Sequence, residues 1–109
     1  MPLQLSYATT VILQAVANGY RYGFDIMDLT GLPSGTVYPA LRRLEDADLV
    51  GSKWEKPQVA QNESRPPRKY YVLTKDGDDA LAEALKRYRL LEPARRPAAR
   101  VSGPARERG

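Results

Sequence analysis

The sequence predicts an α+β fold, mainly helical with one small β-hairpin, and three observations predict it. Apolar residues recur at three- and four-residue steps in successive segments before residue 50 and again after residue 74. Lys69-Tyr-Tyr-Val-Leu-Thr74 is rich in strand-forming residues. The second and third helical segments are separated by little more than Gly31-Leu32-Pro33, a short glycine-containing turn of the kind that joins a helix-turn-helix pair.

Leu5, Ala8, Thr9, Ile12, Ala15 and Val16 lie at helical spacing with few charges, and Asn18-Gly19 supplies a stop. Residues 4–18 therefore form a first, largely buried helix. From Tyr22 to Leu29 a second short helix is expected to turn Ile26, Met27 and Leu29 inward and Asp25 and Asp28 outward, ending at Thr30-Gly31.

The third helix, over 33–47, carries the most information. At about 100° per residue, Val37, Ala40, Leu41 and Leu44 share one face, Gly35, Pro39, Arg42 and Asp46 the opposite one, and Tyr38 and Arg43 the flanks. Any surface helix divides in this way, but two details go further. Ser34 and Gly35 leave small residues and free amides where a phosphate can approach closely. Pro39 lies inside the helix, its ring directed at the carbonyl of residue 35, and glycine is the residue that can yield there.

Leu49 to Lys56 suits a strand, with 69–74 as its antiparallel partner. Between them, residues 57–68 form a polar, proline-rich connection longer than a tight hairpin needs. It is either a floppy tip or a basic wing. Arg65, Arg68 and Lys69 fall within five residues, which favours a wing touching phosphates.

Thr74 is a good N-cap, with Asp76, Asp78 and Asp79 in the following turn, so a fourth helix begins there. Leu81, Ala84, Leu85, Tyr88 and Leu91 continue it as an apolar stripe that needs a partner. The stripe either folds onto the core or pairs with its copy, and its position at the edge of the folded region favours a dimer interface. The organisation expected is 1–74 as a helix-turn-helix domain with a wing, 75–92 as a C-terminal dimerisation helix, and 93–109 as a disordered Pro/Ala/Arg-rich tail with one large aliphatic residue, Val101.

With 109 residues and 42% hydrophobic content the chain can build one small core. It has no cysteine and no histidine, which removes disulfides, thiolate and imidazole metal sites, and catalysis by Cys, His or a Ser-His triad. The remaining carboxylates, lysines and tyrosines form no visible constellation, so neither an enzyme nor a cofactor or metal is expected. No basic leader with an apolar core follows Met1-Pro2, and no apolar run approaches a membrane span, so a cytoplasmic protein without membrane contact is expected. Residues 93–109 hold five arginines and one glutamate, which accounts for the entire net charge of +4. Any case for nucleic-acid binding must therefore rest on where the charges stand.

Gly35-Thr-Val-Tyr-Pro-Ala-Leu-Arg-Arg-Leu-Glu45 resembles the recognition-helix motif of the PadR family of bacterial transcriptional regulators. Tyr71-Val-Leu-Thr-Lys-Asp-Gly77 resembles that family's junction between strand and last helix, and Tyr22-Gly23 the start of its second helix. The resemblance covers roughly residues 3–90 and implies a winged helix-turn-helix protein that binds double-stranded DNA and dimerises through its C-terminal helical region. It places Ser34, Gly35, Thr36, Tyr38, Pro39 and Arg42 on the DNA-facing surface, with Tyr22 and Arg43 at its margin. An arginine on that side can bond bidentately to guanine or clamp a phosphate. Tyr38 can donate to a phosphate or pack its ring between helices, and both roles stay open. Where the family usually has a glycine after the recognition helix, this chain has Asp48, which tolerates the left-handed conformation less well. The single helix after the wing resembles the short class of the family, without the larger C-terminal sensing domain of longer members.

The function expected is a homodimeric repressor, with control by a small aromatic effector implied by some family members. Met27, Trp54 and Tyr88 are candidates to hold such a ring, although each also suits the core. The competing reading is a winged-helix module for protein interaction or ligand sensing without DNA readout.

Overall fold

The computed structural model describes residues 4–88. The elements run α1 (Tyr7–Ala17), α2 (Gly23–Thr30), α3 (Ser34–Asp46), β1 (Val50–Trp54), α4 (Pro57–Asn62), β2 (Lys69–Leu73) and α5 (Lys75–Arg87). The tail expected at 93–109, and Leu91 with it, lie outside the described residues.

α1 begins where Ser6 Oγ accepts the amide of Thr9 at 3.1 Å, and it packs against α2, α3 and α5. Ile12 and Leu13 of α1, Ile26 of α2, Leu41 and Leu44 of α3 and Leu85 of α5 are all completely enclosed. Each such side chain stabilises the fold by about 1.5–3 kcal/mol relative to exposure. Val37, Ala40, Leu41 and Leu44 are the buried residues of α3, as its periodicity requires.

α2 differs from expectation at one position. Ile26 is buried and Met27 half-buried against the core, but Leu29 is 50% exposed. In so short a helix the inward arc is filled by Ile26 and its neighbours, and Leu29 falls outside it.

α3 closes with a Schellman motif. Asp48 takes φ 60°, its amide donates to Glu45 O at 3.0 Å, and the Leu49 amide donates to Leu44 O at 2.9 Å. The aspartate thus adopts the left-handed turn that usually selects glycine. β1 then pairs antiparallel with β2, Val50 opposite Leu73 through Trp54 opposite Lys69. The Tyr71 amide donates to Arg21 O at 2.9 Å, tying the α1–α2 loop to β2.

The connection between the strands is neither floppy nor without structure, because Pro57 starts the short helix α4 from its first turn. Ala60 of that helix is buried. α5 starts as predicted, with Thr74 Oγ1 accepting the Gly77 amide at 2.9 Å, and Thr74 Oγ1 donates in turn to Asp48 O at 2.7 Å. Gly77 is required here: a Cβ would collide with the carbonyl of Leu49 and lie 2.9 Å from Leu73 Cδ1.

The apolar stripe of α5 has a partner within the same chain. Leu81, Ala84 and Leu85 are buried in the common core beside α1, so they are not free side chains awaiting a second copy. Tyr88, just past α5, meets Tyr7 edge-to-face at 5.4 Å and donates to Leu5 O at 3.1 Å. Arg87 Nη2 reaches the same carbonyl at 3.1 Å. The residues expected along a dimer seam, Leu81, Ala84, Leu85 and Tyr88, thus pack within their own chain. No described helix is long and apolar enough to cross a membrane.

Candidate nucleic-acid interface

The candidate interface is the outer face of α3 together with the wing. Among the described residues no side chain caps the N-terminus of α3, and Ser34 and Gly35 are exposed there with Thr36 beside them half-buried. A Cβ at Gly35 would meet nothing within 4 Å. Packing does not demand glycine at that position, and its smallness leaves the first turn of α3 bare. Open amides and the positive end of a helix dipole suit an anion. The helix continues through Pro39, so the proline is tolerated in the exposed wall.

Tyr38, Pro39, Arg42 and Arg43 are exposed along this wall. With Glu45, Lys69 and Tyr71 they line an open cleft of roughly 500 Å³ between α3 and β2. Among the described residues neither Arg42 nor Arg43 enters a salt bridge. Glu45, on the same helix, accepts from Ser52 Oγ of β1 and from Lys69 Nζ of β2 at 3.5 Å. The Ser52 hydrogen bond, assisted by Lys69, lowers its carboxyl pKa against the opposing effect of burial. Burial raises the Tyr71 hydroxyl pKa at the cleft floor.

Tyr38 takes the packing role in this structure: its ring lies against the backbone of Gly23. It is still 44% exposed, so it bridges α3 to the start of α2 while keeping one edge to solvent.

The wing's cations are arranged differently from a loose basic patch. Arg65 grips Glu55 through both terminal nitrogens, at 2.6 and 3.1 Å, and donates Nε to Glu63 at 2.9 Å. Glu55 also accepts from the Tyr22 hydroxyl and the Arg68 amide, each at 3.0 Å. The guanidinium of Arg65 holds the Glu55 carboxyl down at about 2, with the Arg68 amide and Tyr22 adding to it. Glu55 reciprocally raises the Arg65 pKa. Burial and the Glu55 hydrogen bond raise the pKa of the Tyr22 hydroxyl. The Arg68 guanidinium sits 4.6 Å over the ring of Phe24, which stacks on Tyr22 at 5.5 Å.

The three residues expected to hold an aromatic ligand stand apart. Met27 packs on the core, Trp54 is 66% exposed near the end of the wing strand rather than part of the core, and Tyr88 is engaged with Tyr7 and Leu5.

Comparison with known proteins places this architecture. Residues 12–83 match the model of the Transcriptional regulator PadR-like family. The chain belongs to the PadR-like family. It is similar to a PadR family transcription regulator from hypervirulent Clostridium difficile R20291, at 28% identity over 82% of this chain and 94% of that one, with a TM-score of 0.67. A PadR-like transcription factor from Bacteroides fragilis matches at 30% identity, covering 79% of this chain and 84% of that one with a TM-score of 0.62. Bordetella bronchiseptica BpsR, whose DNA binding is regulated by 6-hydroxynicotinic acid, shares the fold at 18% identity, with 84% of this chain and 60% of that one covered and a TM-score of 0.62. No curated protein matches the chain. As in other PadR-like regulators, the fold is a winged helix, and the family's work is DNA-binding transcriptional regulation.

Within this PadR-like frame, sequence reasoning missed Glu55, Glu45 and Phe24. Glu55 follows β1 while Arg65 and Arg68 precede β2, at opposite ends of the connection, and nothing in linear spacing brings them together. Phe24 is the chain's single phenylalanine, at the exposed start of α2 beside Tyr22, and that adjacency was the one signal the sequence offered.

Proposed function

We propose that this PadR-like chain is a sequence-specific repressor that works as a homodimer, laying α3 of each subunit into successive major grooves about 34–36 Å apart. The observation that carries the reading is the division of α3, whose inner face is fully buried while Arg42 and Arg43, exposed on its other side, enter no salt bridge among the described residues. Arg42 reads base edges, the first turn of α3 takes a phosphate, and Arg43 and Tyr22 frame the site. Regulation of BpsR by 6-hydroxynicotinic acid supports a small aromatic effector as the control in this fold. The dimer forms through a surface other than the buried Leu81, Ala84 and Leu85.

Titration of a promoter fragment and of a scrambled duplex tests this. Arg42→Ala is expected to weaken promoter binding by about 1–3 kcal/mol and to relax discrimination. A wild-type protein that binds both duplexes equally would return the chain to the class of interaction or sensing modules.

A further inference from the structure

We propose that Glu55 is the positioning residue of the wing: it withholds Arg65 from the nucleic acid and fixes Arg68 as the wing's phosphate-facing cation. The inference rests on the DNA-binding reading above.

Three cations leave the wing together, and each is committed differently. Arg65 is 16% exposed. Both its terminal nitrogens lie on the two oxygens of Glu55, its Nε lies on Glu63, and Nη1 also reaches Pro66 O at 3.2 Å. To meet a phosphate it must break a bidentate pair, the most geometrically specific form of ion pair. Lys69 is drawn toward Glu45. Of the three, Arg68 is the exposed one, and among the described residues no carboxylate lies on its side chain. It rests on the face of Phe24, an arrangement that orients a guanidinium while leaving its charge and N–H edge free for a phosphate.

Glu55 creates this difference. Its oxygens serve four donors from three places: the hydroxyl of Tyr22 at the N-cap of α2, the fork of Arg65, and the amide of Arg68. Its own amide donates to Arg68 O at 2.8 Å. The base of the wing is thereby bonded to the start of α2, and Tyr22 and Phe24 carry the connection to the helix-turn-helix. One carboxylate sets the wing's angle and removes one cation from its sequence-independent attraction for DNA.

Salt dependence measures this directly, because each phosphate neutralised contributes about 0.9 to the log-log slope of affinity against salt. Arg65→Lys keeps the net charge but loses the bidentate fork, and Glu55→Gln releases the arginine. Binding to a scrambled duplex over a salt series is expected to steepen by up to about 0.9 for either variant, and the steepening should vanish in the Glu55→Gln, Arg65→Gln double variant. Slopes equal to or shallower than wild type in both single variants would overturn the proposal, as would steepening that survives in the double variant. If one single variant fails to fold by circular dichroism, the other decides. The salt needed to elute each from heparin gives the same order without sequence recognition, with Arg65→Lys expected to elute later than wild type. A wild-type protein unable to discriminate its promoter ends the DNA-reading function, while the heparin order still decides the role of Glu55.

Discussion

The Tyr38 ring lies so close over Gly23 that a methyl group added there would come within 2.5 Å of Cζ and 2.6 Å of Oη. The absence of a side chain at the first residue of α2 is what lets the hydroxyl end of a tyrosine of α3 pack against that helix. Gly23→Ala is expected to leave the fold nearly intact, at a cost of about 1 kcal/mol, because the displaced atoms are the far end of a partly exposed side chain that can rotate. The rotated ring then enters the groove-facing surface. Promoter affinity should fall more than stability does, and thermal melting alongside duplex titration compares the two. A variant with wild-type affinity would show that the seat of Tyr38 has no bearing on binding.

Leu85 is 2% exposed against α1, which changes what its mutation reports. Leu85→Ala should cost about 2–5 kcal/mol as a cavity, and Leu85→Asp, which buries an unpaired carboxylate, should abolish cooperative folding. Circular dichroism melts and sedimentation separate the outcomes. A folded, monomeric Leu85→Asp protein would restore this stripe to a dimer seam.

How far the sequence could be read follows from the range of each interaction. The face of α3, the Thr74 cap and the left-handed Asp48 are set by interactions within a few residues, and their periodicity or chemistry is visible in the chain. An apolar stripe such as Leu81–Leu85 says that a partner exists but is identical whether the partner is α1 or a second copy. Six residues, Pro57–Asn62, are too few to show a helical repeat, and Pro57, which suits a first helical turn, was the trace the sequence held. Basic clustering at Arg65, Arg68 and Lys69 was legible; that Glu55 and Glu45 claim two of the three was not, because one pair closes the two ends of the wing connection and the other joins α3 to β2.

Glu55 gives the fold an acid-sensitive joint. Its carboxyl is lowered from 4.5 to about 2, first by Arg65 and then by the Arg68 amide and the Tyr22 hydroxyl that face it. A depressed carboxylate contributes stability that is fully present above the unfolded value and is lost as the pH falls toward the folded one. The urea midpoint of the wild type should therefore drop between pH 4.5 and about 2, more than that of Glu55→Gln. The difference between the two proteins isolates this group from other carboxylates such as Glu45. Parallel profiles would show that the Arg65 ion pair does not persist in solution.

Residues 93–109 hold the chain's whole net positive charge but no pattern able to bury a core. Deleting them should leave melting temperature and operator preference unchanged while lowering affinity for any duplex. Each of the five arginines that reaches a phosphate releases condensed counterion, so the truncated protein should show a shallower salt dependence, by about 0.9 in log-log slope for each phosphate it no longer neutralises. This change is opposite in sign to the one expected from unlatching Arg65, and the two can be combined: truncation together with Arg65→Lys should partly cancel. Titrations of the full and shortened chains at several salt concentrations decide it. Parallel lines would mean that the arginines remain in solvent and that sequence-independent attraction comes from α3 and the wing alone.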